Sequence, residues 1–99
     1  MAEEKVMLYG TVDRIRSYSA ESGTIFIELE RYGKGKNWCS ITPDNEGAKM
    51  IFQIAVTAWK TRVKTSMYGV KYRHNYPDGN GGEDRYKILE LGLDEAPKS

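Results

Sequence analysis

The chain holds few of the residues from which catalysis is built. It has one histidine, His74, and one cysteine, Cys39. A Ser or Cys nucleophile needs a base beside it, and a zinc site needs three or four such ligands. A Cys39 and His74 dyad is the one arrangement of that kind available. Cys39, however, alternates with Trp38 along an extended segment and is expected to face a core as a structural thiol, with His74 in a polar loop. Glu28 and Glu30 share one side of an alternating segment and read as solvent-facing charges rather than an acid/base pair. Gly33-Lys34-Gly35-Lys36 lacks the longer glycine spacing and the Lys-Ser/Thr ending of a phosphate loop and reads as a hairpin turn. No catalytic residue, metal or cofactor is expected.

Residues suited to binding are more plentiful. Between Gly47 and Pro77 there is no Asp or Glu, while Lys49, Lys60, Arg62, Lys64, Lys71 and Arg73 all fall in that span. Arg31, Lys34 and Lys36 add a second basic group, and the acidic residues gather toward both ends. The net charge is only +1, so attraction to a polyanion would be local rather than long-range. A merely solvated basic face accounts for the same pattern.

The elements that must position these residues follow from hydrophobic period. Val6, Leu8 and Val12 alternate at strand spacing, and Gly10, where an apolar residue is due, suggests a bulge or sharp bend. After a polar turn from Ser17 to Gly23, Ile25, Ile27 and Leu29 point one way and Thr24, Phe26, Glu28 and Glu30 the other. Trp38 to Thr42 reads as a short third strand that Pro43 stops. Asp44 or Asn45 can cap a helix from about Ala48 to Lys60, with Glu46 in its first turn. Met50, Ile51, Ile54, Ala55 and Ala58 form its core face, while Phe52, Val56 and Trp59 extend apolar character further round. A strand returns from Val63 to Tyr72, the glycine-rich run from Tyr76 to Gly82 makes a long loop, and Tyr86 to Leu93 closes with Leu89, Leu91 and Leu93 on one face.

This order, three strands, a helix and two strands with an early bend, resembles the oligonucleotide and oligosaccharide binding (OB) fold: mainly β, a five-stranded Greek-key barrel with one helix between strands 3 and 4. The resemblance covers residues 5 to 94 and makes residues 1 to 99 a single domain. It implies that strands two and three are neighbours, so that Phe26 and Trp38, opposite in parity to the inward aliphatics, share the outer surface that nucleic-acid-binding members use. The loop between the last two strands, expected to carry Tyr72, Arg73 and Tyr76 with Arg85 beyond its glycines, would flank that surface. The stretch Ile54-Ala55-Val56-Thr57-Ala58-Trp59 and the later Leu89-Glu90-Leu91 also look like parts of pertussis-toxin-type binding subunits, ring-forming members of the fold. Those subunits are exported and carry disulfides, which a lone cysteine and a charged start do not match.

Ninety-nine residues, 39% apolar and 29% charged, suffice for one core. Without a signal segment or a membrane span the chain reads as cytoplasmic, or as exported only if a signal peptide has been removed. Two functions follow from different features. One is a non-catalytic module for single-stranded nucleic acid or a nucleotide-bearing partner, with Phe26 and Trp38 stacking and Arg31, Lys34, Lys36, Arg73 and Arg85 neutralising phosphates. The other is a glycan- or protein-binding subunit of a homo-oligomer assembled through the helix from Ala48 to Lys60. Which ligand is bound is not written in the sequence.

Overall fold

The computed structural model describes residues 3–18 and 23–95. Five strands and one helix follow in the expected order: β1 Glu4–Tyr18, β2 Thr24–Glu30, β3 Lys36–Ile41, α1 Ala48–Thr61, β4 Thr65–Asn75 and β5 Gly82–Leu93. They close into a barrel in the order β1-β2-β3-β5-β4. Only the β3-β5 contact that completes the ring is parallel. The closing contact is short, Cys39 with Tyr86 and Ser40 with Lys87.

Alternation fills the interior as the period requires. Val12, Ile27, Leu29, Cys39, Met67 and Ile88 have no exposed surface. From α1, Ile51, Ala55 and Ala58 close the core, the two alanines letting the helix backbone approach the strands. Met50, expected on that face, is 61% exposed; it starts a turn that faces away from the barrel. The capping also differs. Gly47 occupies the N-cap without a side-chain bond, and no acidic residue lies in the first turn. Asn45 instead accepts from the Gly47 N–H at 2.8 Å and donates to the Ile88 carbonyl at 3.1 Å, tying the approach to α1 to β5.

Irregularities in the strands set which side chains face out. At Gly10 the partner of β1 changes from β4 (Gly10 with Thr65) to β2 (Thr11 with Glu30). A Cβ at Gly10 would collide with the Glu30 carbonyl oxygen, so the expected bend is there. The bulge falls slightly later, between Val12 and Arg14, and turns Asp13 out of register. A second bulge, opposite the Tyr68 and Gly69 step, inserts Leu89 between Ile88 and Glu90. Tyr86, Ile88 and Leu91 are therefore the buried side chains of β5, and Leu89 is not. β4 runs beyond Tyr72, pairing through Asn75 with Gly82, so Tyr72, Arg73 and His74 lie on a strand rather than in a loop. What remains of the loop is Tyr76 to Gly81, closed by Tyr76 N–H to Gly81 O at 2.9 Å and Gly79 N–H to Tyr76 O at 3.1 Å.

No helix among the described residues is long and apolar enough to cross a membrane, and among them no cluster of His, Cys, Asp or Glu could hold a metal ion.

Candidate functional site

The strand register lays two rows of side chains across the outside of the barrel. One is Arg16, Phe26 and Ser40, on β1, β2 and β3; the next is Arg14, Glu28 and Trp38. The two rings are each covered by an arginine from the opposite flank. Arg16 reaches over β2 to place its guanidinium 5.8 Å from the Trp38 ring centroid. Arg85, beside the Tyr86 that pairs with Cys39, reaches over β3 to stand 5.4 Å from the Phe26 ring. Ser40 pairs with both Phe26 and Lys87, and so short a residue leaves room for the Arg85 side chain to pass.

Phe26 thus points away from the barrel, as parity requires, and is absent from the core cluster. It is not an open platform: only 5% of it is exposed. Trp38 is half-buried. Glu28, expected in solvent, is 8% exposed, with Arg14 Nε at 3.4 Å and Lys36 Nζ at 4.0 Å.

The remaining basic and aromatic candidates fall into three groups. Lys36 is committed to Asp13, Nζ to Oδ2 at 2.7 Å; this bond holds the Asp13 carboxyl below the usual carboxylate range and raises the Lys36 ammonium above its own. Asp13 also accepts from Arg62 Nη1 at 3.0 Å, so the bulge on β1 joins β3 to the end of α1. Tyr72, Arg73, Tyr76 and Arg85 come together on the β4-β5 hairpin. Tyr72 pairs with Arg85, Arg73 lies 3.4 Å from Asp84, and Arg85 Nε lies 3.4 Å from Glu83. The Tyr76 hydroxyl donates to Glu83 at 3.0 Å, which raises its pKa. Arg31 and Lys34 are not with the others; at the β2-β3 turn they line a shallow groove of about 240 Å³ with Met7, Tyr9 and Tyr32. The loop beside Tyr18 falls outside the described residues at positions 19–22.

Two participants escape a reading by period alone. Arg16 carries no motif, and only the register across β2 brings it to Trp38. The exposed trio Met7, Tyr9 and Tyr32 is assembled from β1 and the β2-β3 turn; Tyr32 sits at φ 52, a backbone state that nothing in its neighbours announces. Cys39 behaves as expected: burial pushes its thiol up to about 12, against a smaller opposing influence of Arg31. It is 0% exposed, and its Sγ donates to the Asn37 carbonyl at 3.8 Å.

No protein-family model matches the sequence, and no curated protein matches it either. Solved structures do match in shape. The mitochondrial single-stranded DNA-binding protein Rim1 of S. cerevisiae superposes with a TM-score of 0.59 at 12% identity, over 96% of this chain and 98% of that one. The fold is an OB barrel. Aspartyl-tRNA synthetase from Entamoeba histolytica matches with a TM-score of 0.64 at 14% identity over 99% of this chain; the chain spans only 20% of the synthetase. At these identities the likeness concerns the OB fold alone.

Proposed function

We propose that this OB barrel is a non-catalytic module that binds single-stranded nucleic acid on the outer face of β2 and β3. The observation that carries the reading is the crossed pair of arginine-covered rings, Arg16 on Trp38 and Arg85 on Phe26. An indole beside an exposed guanidinium suits an unpaired base and its phosphate together, since every base has a face to stack and every nucleotide a charge to neutralise. Trp38 is the stacking platform. Arg16 gives way to the base and turns to the backbone, while Phe26, covered by Arg85, is the floor on which that arginine rests. Tyr72, Arg73 and Tyr76 extend the surface along the hairpin, Lys36 borders it, and Arg31 with Lys34 would meet a strand leaving past the β2-β3 turn. A match over nearly the whole of Rim1, a protein named for binding single-stranded DNA, supports the same reading.

The test uses Trp38 as its own reporter. The only other tryptophan is Trp59, so Trp59→Phe leaves one indole to follow. Short oligothymidylate and oligouridylate titrated at low salt are expected to quench it, and Trp38→Ala, followed by the anisotropy of end-labelled oligonucleotide, to weaken binding by roughly 5- to 150-fold, the range of one lost base stack. Absence of binding by either oligonucleotide at low salt overturns the proposal.

One observation favours the second reading, an oligomeric glycan- or protein-binding subunit. Phe52 and Trp59 are 36% and 42% exposed on α1, an apolar stripe that a neighbouring subunit could cover. Light scattering decides it: a pentamer that Trp59→Glu dissociates supports the assembly, and a monomer removes it.

A further inference from the structure

The stacking reading leaves one side chain of this face unexplained. Glu28 sits midway along the row, paired across the sheet with Arg14 on one side and Trp38 on the other. Its Oε1 is wholly buried and receives no hydrogen bond; Arg14 Nε at 3.4 Å and Lys36 Nζ at 4.0 Å face that same oxygen as ion-pair contacts only. A buried carboxylate is costly unless it is saturated with donors, and one at the centre of a surface for a polyanion also repels the ligand. The neighbouring cations do not saturate it. Arg14 and Lys36 keep 55% and 47% of their side chains exposed, and the short bond of Lys36 goes to Asp13. The charge is held in place with acceptor capacity to spare.

A carboxylate only accepts hydrogen bonds, so what completes it must be a donor. The nearest position for one is the edge of a base stacked on Trp38, the residue directly opposite. Thymine and uracil offer a single imino hydrogen between two carbonyls, and adenine and cytosine an amino group beside an acceptor nitrogen. Guanine alone sets two donors side by side, N1–H and the 2-amino group, matching the two carboxylate oxygens.

We propose that Glu28 is a specificity-determining residue that makes this face guanine-selective within single-stranded nucleic acid. This rests on the proposed function above. On binding, Arg14 swings from Glu28 toward the phosphates, and the Watson–Crick edge of guanine takes its place against the carboxylate, while Lys36 stays with Asp13. A sequence-tolerant stacking site thereby becomes a reader of one base.

The test compares oligothymidylate with the same strand bearing one central guanine, inosine or adenine, each followed by Trp38 fluorescence in the Trp59→Phe background. Guanine is expected to tighten binding about tenfold, the discrimination of one good bidentate contact. Inosine, which lacks the 2-amino group, is expected to keep about a third of that gain, and adenine none. Glu28→Gln, nearly identical in shape, is expected to abolish the guanine gain while binding oligothymidylate at least as tightly as before, its fold checked by melting temperature. The inosine comparison needs no variant and stands if Glu28→Gln folds poorly. Equal affinity for all four strands, or a guanine preference that survives Glu28→Gln, overturns the proposal while leaving the stacking site intact. Failure of every strand to bind overturns both.

Discussion

Phe26 and Trp38 occupy comparable positions on adjacent strands, yet removing them should have different consequences. Phe26 is 5% exposed beneath Arg85, while Trp38 is only half-buried beside Arg16. Phe26→Ala would open a void and strand a guanidinium, costing about 3 kcal/mol of stability by analogy with other buried aromatic truncations. Trp38→Ala should cost about 1 kcal/mol, because part of its area already faces water. Chemical denaturation of the two variants checks this; equal losses would mean that Trp38 is as firmly packed as Phe26. Parity along Ile25, Ile27 and Leu29 was enough to aim Phe26 outward from sequence. Its burial was not legible, because the covering residue comes from the last strand and passes over Ser40 to reach it. Cys39 was legible in full, since its placement needs only the local period.

At the scale of elements, the strands could be read wherever alternation is unbroken and misread where a bulge breaks it. Period alone puts Leu89 on one face with Leu91 and Leu93; the inserted residue opposite Tyr68 and Gly69 breaks that face, and Ile88 is buried with Leu91 instead. The polar run Tyr72 to Asn75 reads as loop, although a hairpin that extends past the core has no need of apolar residues to stay paired. The bulge at Asp13 leads to a prediction about pH. Lys36 and Arg62 hold Asp13 below its ordinary pKa, so its contribution to stability is present above the ordinary carboxylate range and is lost as pH falls through its folded pKa. Lys36 is shifted upward, so its contribution persists below the ordinary lysine range and fades only as pH rises through the raised value. Asp13→Asn should therefore lower the melting temperature at neutral pH, and the difference from the parent should shrink steadily below about pH 4. A difference that stays constant from pH 7 to pH 2 would show that the bridge to Lys36 and Arg62 contributes nothing.

Charge is where the whole molecule departs furthest from its linear order. The middle of the chain has cations and no carboxylates, but folding brings acidic partners from the ends: Arg62 meets Asp13, Lys71 meets Glu4 and Asp84, and Arg73 meets Asp84. On the proposed binding face Arg14, Lys36 and Arg85 are likewise paired with Glu28, Asp13 and Glu83. Arg16, Arg31 and Lys34 make no ion pair among the described residues. Only cations free to displace counterions contribute fully to the salt dependence of single-strand binding, about 0.7 of a logarithmic unit per phosphate contact. Three such cations give a slope of log K against log salt of about −2, whereas six, with the paired residues released as well, would give about −4. A slope near −2 would mean that stacking carries most of the affinity and that Asp13 and Glu83 keep their cations in the complex. Under the same logic Asp13→Asn, by freeing Lys36, should steepen the slope by about 0.7 and tighten binding at low salt. An unchanged slope in that variant would place Lys36 outside the path of the strand and narrow the interface to Trp38, Arg16 and the hairpin.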